Sequence, residues 1–230
     1  MWLVDRDLKA TKKKKRKLLY WLLADLAVAV IILSLLLHKP GRYQRPKLIY
    51  DGRQSEYLTH ELLPQVYNRA QLGEPFEQVI TQEGINEIIT HARWPRQAGG
   101  ANFLAPRVFL EPDGILVLGP VLIKGIEVVF TVLLEPNLGD EGLLNLDTGK
   151  IKVGAVNVTA LARGLAKRMY RERTAEVPPD PNDWRSKVVA SLLNGEPFEP
   201  VFDIRGRPVR IEKIVLERGK ITLGLVPVSR

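Results

Sequence analysis

One uninterrupted apolar stretch near the amino terminus limits what this chain can be. Residues 18–37 (LLYWLLADLAVAVIILSLLL) contain a single charged side chain, Asp25. At about 1.5 Å per residue, a helix of this length spans roughly 30 Å, the thickness of the hydrocarbon core of a bilayer. The sequence therefore predicts a transmembrane helix, retained as a signal anchor. A cleaved signal peptide is the alternative, but its apolar region is usually shorter, and no small-x-small cleavage site follows.

The distribution of charge predicts how this helix is oriented. The chain of 230 residues has a formal net charge of +8, and residues 1–17 carry eight basic side chains against two aspartates. The positive-inside rule places this tail in the cytoplasm and the rest of the chain outside the cell's inner (cytoplasmic) membrane. A nucleic-acid-binding protein needs a basic face on its folded domain. Because the basic residues lie in the tail, we expect no nucleic acid among the partners.

Asp25 is unusual because a carboxylate inside a membrane span is costly. One interpretation is a contact with a partner helix in the membrane. The other is a hydrated position, since Asp25 lies about one turn beyond Tyr20 and Trp21, aromatic residues typical of the headgroup region. The sequence leaves both interpretations open.

The remaining pattern predicts four segments and an α+β domain. These are a basic cytoplasmic tail (1–17), the transmembrane helix (18–37), a juxtamembrane linker with a short helix (38–75) and an extracytoplasmic domain (76–230). Apolar periodicity and turn residues predict helices at 55–72, 82–93, 159–173 and 183–194, and strands at 106–111, 115–123, 126–135, 143–158, 198–204, 208–216 and 220–226. Strands and helices do not alternate as βαβ units, so we expect a curved antiparallel sheet packed on amphipathic helices.

Two neighbouring strands, 115–123 and 126–134, are apolar on both faces. A strand with one face in water should alternate between apolar and polar residues, but in the second strand only Glu127 and Thr131 interrupt the apolar pattern. One interpretation is that helices or a second sheet cover both faces. The other is that one face lines an apolar groove for an acyl chain.

The order of these elements resembles a known family. The segments that carry the resemblance are ITQEGINEII (80–89), FLEPDGILVLGPVLIKGIEVVFTVLLEP (109–136), GKIKVGAVNVTALARGL (149–165) and IEKIVLERGKITL (211–223). They resemble the YpmS-like family of bacterial membrane-anchored proteins of unknown function and, more distantly, tubular lipid-binding (TULIP-type) domains. The resemblance covers residues 76–226. It implies a sheet wrapped against a helix, with an apolar groove for lipid tails, and it implies no catalytic residues.

Nothing in the sequence indicates catalysis. The nucleophile elbow of hydrolases, the zinc-protease motif, the P-loop and the dinucleotide-binding fingerprint are all missing. The chain has no cysteine, and its three histidines lack metal-ligand spacing. Glu83 and Glu87 lie four residues apart, which is typical of a solvated helix face. We therefore expect no enzyme activity, no cofactor and no metal.

These observations lead to two hypotheses of function. In the first, the anchored domain binds a lipid or another long apolar ligand in its groove, without chemistry. In the second, the protein is a structural or assembly subunit of a cell-envelope complex, and Asp25 contacts a partner in the membrane. For the first hypothesis, the expected groove-lining residues are Ile85, Ile89, Val117, Val121, Val128, Phe130 and Val132.

Overall fold

The computed structural model describes residues 4–45, 53–176, 180 and 183–228. Its first helix, α1 (Val4–Leu36), contains the apolar stretch that the sequence singled out. Within α1, Leu19–Leu36 is long and apolar enough to cross a membrane, and none of it is buried inside the chain. The core of the domain therefore makes no use of this apolar surface.

The described part of the chain beyond α1 is a mixture of helices and antiparallel strands, as the sequence predicted. The helical elements are a π-helical segment (Tyr57–Leu62), α2 (Leu63–Gln71), α3 (Gln82–His91), α4 (Thr159–Glu176) and α5 (Trp184–Asn194). The strands are β1 (Phe76–Thr81), β2 (Arg96–Ala98), β3 (Ala101–Phe103), β4 (Arg107–Glu111), β5 (Gly114–Ile123), β6 (Ile126–Leu138), β7 (Leu144–Val153), β8 (Val156–Asn157), β9 (Val201–Ile204), β10 (Arg207–Glu217) and β11 (Lys220–Pro227).

The smaller sheet has the order β1-β11-β10-β9, with all of its pairs antiparallel. Helix α2 covers one of its faces, and Val66 and Ala70 of that helix are buried against Val209 and Leu225. Pro64 lies in the first turn of α2, directly after the π-helical segment, and it has no N–H to donate to that segment.

The larger sheet has the order β2-β3-β5-β6-β7-β8, and β4 also pairs with β5. Strands β5 and β6 form a long hairpin that turns at Lys124 and Gly125, whose φ angles are 50° and 84°. Two consecutive positive φ angles are typical of tight two-residue hairpin loops. Residues 123–126, with Ile123 paired to Ile126, form what we call the hairpin tip.

A shared core joins the two sheets beneath α3. Leu110 of β4 has no exposed surface and packs with Ile221 of β11. Helix α3 is capped by Thr81, whose hydroxyl accepts a hydrogen bond from the Gly84 N–H (3.1 Å). The Asn86 side chain of α3 donates to the carbonyl of Val108 and accepts from its N–H, both at 2.8 Å. Asn86 thereby satisfies backbone groups at the outer edge of β4, which pairs with β5 on its other side.

Helices α4 and α5 cover the outer edge of β7. The Thr159 hydroxyl accepts from the Ile151 N–H and the Ser191 hydroxyl from the Leu146 N–H, each at 2.9 Å. Side-chain partners of this kind prevent an edge strand from pairing with another chain. Helix α4 keeps Ala166 half-buried, whereas Leu161, Leu165 and Met169, which we call the α4 stripe, are 65%, 52% and 66% exposed.

The element boundaries differ from the sequence prediction most clearly in two places. Residues 93–102, expected to form a loop, contain the β2–β3 hairpin, whose three-residue strands are too short to show an apolar pattern. The expected strand 143–158 is interrupted at Gly154 and Ala155. The sequence also predicts a proline-rich break at 177–182, between α4 and α5, and this segment lies outside the described residues except for Asp180.

Candidate apolar site and its contact with helix α1

The two faces of the β5–β6 hairpin have different neighbours, because successive side chains of a strand point to opposite faces. The face toward α3, called the α3 face, carries Ile115, Val117, Gly119, Val121, Ile123, Ile126, Val128, Phe130, Val132 and Leu134. The opposite face, called the α1 face, carries Leu116, Leu118, Pro120, Leu122, Glu127, Val129, Thr131 and Leu133.

The end of α1 rests directly on the turn between β7 and β8. The Ala155 N–H donates to the carbonyl of Leu35 (2.8 Å), and the Gly154 N–H donates to the carbonyl of Val129 (2.9 Å). Gly154 has a φ of 57°, and a Cβ atom at this position would collide with the carbonyl oxygens of Leu35 and Leu36. This contact between α1 and the sheet therefore requires glycine.

The residues that follow α1 cross the α1 face. Lys39 Nζ lies 2.9 Å from Glu127 Oε1, and Arg45 lies 3.6 Å from Glu127 Oε2. Arg42 also pairs with Glu111 of β4 at 2.6 Å. On the same face, Leu118, Pro120 and Val129 are almost completely buried. Ordinary packing thus accounts for the apolar character of this face, and residues 39–45 of the predicted linker are bound to the domain.

Electrostatics favour this contact at neutral pH. The hydrogen bond from Lys39 and the positive charges of Lys39 and Arg45 lower the pKa of Glu127, and they outweigh the opposing effect of burial. Burial, followed by the nearby negative charge of Glu127, raises the pKa of Tyr43 to about 12. At pH 7 the Glu127 carboxylate is therefore charged and the Tyr43 hydroxyl is neutral.

Acidification is expected to loosen residues 39–45. The pKa of Glu127 is lower in the folded protein than the value of about 4.3 for a free glutamate. The stabilisation by its ion pairs is therefore complete above this value and is lost as the pH falls through the folded-state pKa. Because Lys39 is 56% exposed, we expect about 1 kcal/mol or less. Hydrogen exchange of peptides covering 39–45 between pH 7 and pH 3, corrected for the intrinsic rate, would measure it.

Glu127→Gln is the matched control for this titration. The amide keeps the shape of the side chain but carries no charge, so exchange at 39–45 should start faster and change less with pH. An equal acid response in the variant and the parent would show that other carboxylates cause the loosening.

The seven expected lining residues occupy two environments. Ile85 and Ile89 of α3 and Val117 of β5 are half-buried and pack against the shared core around Leu110. The other four lie together on the α3 face toward the hairpin tip, with Val121 paired to Val128. We call these four the apolar strip; Val121 is buried and the other three members, Val128, Phe130 and Val132, are half-buried.

Open space lies beside the apolar strip at Gly119. This glycine is paired with Phe130, and a Cβ atom built on it would meet no other atom within 4 Å. Its φ lies outside the left-handed region, so a larger residue fits the backbone here. The strip therefore borders a gap that a small apolar group can enter.

The apolar strip continues into exposed residues at the hairpin tip. Phe103 of β3 is paired with Val121 and is 41% exposed, while Ile123 and Ile126 are 42% and 53% exposed. We call Phe103, Ile123 and Ile126 the tip patch. The sequence prediction of the site did not include them. Their signal was the two-residue turn Lys124-Gly125, which has an isoleucine on each side.

Two surface depressions near β4 are lined mostly by polar and charged residues and do not involve the apolar strip. One, of about 300 Å³, is lined by Gln82, Glu83, Asn86, Glu87, Thr90, Pro106 and Arg107. The other, of about 470 Å³, is lined by Arg42, Gln44, Gln82, Arg107, Phe109, Glu111 and Arg218. Neither contains any of the seven expected lining residues.

Glu83, Glu87 and Asp25, the acidic residues singled out in the sequence, lie outside the apolar strip. Glu87 accepts hydrogen bonds from the Ser55 hydroxyl (2.7 Å) and the Tyr57 N–H (3.1 Å), which hold the start of the π-helical segment and lower the pKa of Glu87. Glu83 is exposed, and so is Asp25 within α1. Within the described residues, no group of three or more His, Cys, Asp or Glu side chains is placed to hold a metal ion.

Comparison with known proteins assigns the chain to no family. No protein-family model matches the chain, and a search of curated proteins finds no relative. The resemblance to the YpmS-like family and to TULIP-type domains therefore stays a prediction, and the function has to be argued from the apolar strip and the contact with α1.

Proposed function

We propose that the protein is a single-pass membrane protein whose extracytoplasmic domain binds a lipid or another long apolar ligand along the apolar strip, without catalysis. In this proposal α1 spans the cytoplasmic membrane with its amino terminus in the cytoplasm. The larger antiparallel sheet holds the apolar ligand, as the lipid-binding sheet does in TULIP-type domains. The observation that carries the proposal is the apolar strip, which is half-buried, borders the gap at Gly119 and opens into the tip patch.

The chemistry of the α3 face fits a hydrocarbon chain. From Ile115 to Leu134 this face of the hairpin carries aliphatic and aromatic side chains and one glycine, with no charged group. A polar ligand would find no hydrogen-bonding side chain there. An acyl chain needs none, because burial of apolar surface drives its binding.

Photo-crosslinking tests this proposal in the full chain. A fatty acid with a diazirine in its acyl chain would be added to the protein in lipid nanodiscs, and crosslinked peptides would be identified by mass spectrometry. We expect labels on peptides covering 119–132. Gly119→Val should reduce them severalfold, because the new side chain fills the gap beside Phe130.

Thr222→Val serves as the control, since it places the same valine side chain at a half-buried position of the smaller sheet, away from the apolar strip. It should leave crosslinking unchanged. Labels confined to residues 19–36 would indicate that the fatty acid only surrounds α1, and the proposed lipid site would then be rejected.

An assembly subunit is the second candidate, and the α4 stripe favours it. Leu161, Leu165 and Met169 form an exposed apolar line on α4, as expected of a helix that contacts another envelope protein. Asp25 would add a contact within the membrane. Replacing α1 by an unrelated anchor distinguishes the two candidates. Association with a partner protein through Asp25 would be lost, whereas crosslinking of the fatty acid to the apolar strip would persist.

A further inference from the structure

The tip patch exposes more apolar surface than the fold requires. Phe103, Ile123 and Ile126 lie on adjacent strands of the same face, and each is more than 40% exposed. Exposed large side chains are common singly, but a cluster of them marks a contact surface. Lys124, also exposed, lies at the turn between the two isoleucines.

The contact with α1 limits where this patch can point. Val129 of β6 accepts from Gly154, and Ala155 donates to Leu35 in the last turn of α1. The contact divides β6 into a short arm, Ile126–Val128, that leads to the hairpin tip, and a long arm, residues 130–138. At about 3.3 Å per residue these arms are roughly 10 Å and 30 Å long.

The long arm cannot enter a bilayer. It leads to the rest of the domain, and exposed charges such as Glu135 and Asp147 lie along it and its neighbour β7. Charged side chains and irregular backbone are costly in hydrocarbon. If α1 spans a membrane, the long arm has to lie outside, and the short arm is the one that can point toward the lipid.

The charges near the hairpin tip are compatible with a membrane surface. Glu127 is paired with Lys39 and Arg45, and it lies on the opposite face from the tip patch. The remaining charge at the tip, Lys124, has a long side chain that can keep its amine among the headgroups, where anionic phosphates attract it. If β5 and β6 instead lay flat on the bilayer surface, the hairpin tip would still be at the depth where α1 leaves the hydrocarbon core.

We infer that Phe103, Ile123 and Ile126 insert into the headgroup region of the bilayer beside α1. The partner of this surface is the lipid bilayer itself, and Lys124 contacts its anionic headgroups. The inference rests on the proposed membrane anchoring and deepens the proposed function, because it places the open end of the apolar strip next to a source of lipid.

The chain contains no cysteine, so a single introduced cysteine can be labelled specifically. Ile126→Cys in the full chain would carry an environment-sensitive fluorophore in nanodiscs of phosphatidylethanolamine and phosphatidylglycerol. Lipids with spin labels near the headgroup would act as quenchers for the hairpin tip, and lipids with spin labels at the end of the acyl chain would act as quenchers for the middle of α1. Val79→Cys is the matched control, since Val79 is a similarly exposed strand residue (45%) on β1. Val28→Cys, within α1, reports whether that helix is in the bilayer.

We expect quenching at positions 28 and 126 and none at 79; Phe103→Cys should behave like Ile126→Cys and guards against a local effect of one substitution. Quenching at 28 without quenching at 126 and 103 would overturn the inference and leave the anchoring intact. No quenching at 28 would reject the anchoring and the inference together. Equal quenching at 79 would indicate nonspecific adsorption of the domain and would also overturn it.

Discussion

Replacing Gly154 by alanine is expected to detach the end of α1 from the larger sheet while the domain stays folded. The added Cβ collides with the backbone carbonyl oxygens of Leu35 and Leu36, which have no flexible side chain to move aside. The helix end has to shift, and the hydrogen bond from Ala155 to Leu35 is then lost. A left-handed φ adds about 1–2 kcal/mol of strain for any residue with a side chain.

The measurement has to separate the collision of the new Cβ with Leu35 and Leu36 from the strain of the left-handed φ angle. Gly99→Ala is the matched control, because Gly99 has almost the same φ (56° against 57°) and a Cβ atom added to it would meet no other atom within 4 Å. Both variants should lose about 1–2 kcal/mol of stability. Only Gly154→Ala should accelerate exchange of the Ala155 amide and broaden spin-label distances between α1 and β7. Equal broadening in both variants would show that the turn does not fix α1.

Local signals in the sequence were sufficient for much of the fold. The apolar stretch predicted a helix long enough to span a membrane, and α1 contains such a helix. The β5–β6 hairpin has apolar residues on both faces, as the sequence indicated, and its strands pair in antiparallel order. These features depend on residues that are close together in the chain, so composition and spacing are enough to predict them.

Contacts between distant segments could not be predicted in the same way. Glu127 interrupts an apolar strand, but nothing near it in the sequence indicates that Lys39 and Arg45 are its ion-pair partners. Periodicity also shows that one side of a helix is apolar without showing what covers that side. On α3, Ile85 and Ile89 pack against the shared core, whereas on α4 Leu161 and Leu165 are exposed.

Strand pairing, which joins distant residues, also creates the parts of the site that the sequence prediction missed. Gly119 is significant because it faces Phe130 across the hairpin and leaves a gap, and this depends on the pairing register. Phe103 joins the tip patch because β3 pairs with the end of β5. A one-residue shift in either register would move these side chains to the opposite face.

Replacing Leu110 by alanine is expected to destabilise both sheets together. Leu110 is completely buried in the shared core, where it packs with Val108 and Ile221. Truncating a buried leucine typically costs about 2–5 kcal/mol, from lost apolar burial and the cavity left behind. Total stabilities of about 5–15 kcal/mol are usual for a domain, so a large part of the stability would be lost.

Hydrogen exchange in the full chain would measure this loss and show whether the sheets unfold as one unit. In the Leu110→Ala variant, peptides from β5 and β11 should exchange faster by the same factor, about 30-fold or more for a loss of 2 kcal/mol, because one opening event exposes both. Leu161→Ala is the matched control, since the same change at a 65% exposed position should cost less than about 0.5 kcal/mol. Faster exchange in β5 alone would mean that the core around Leu110 does not couple the smaller sheet to the larger one.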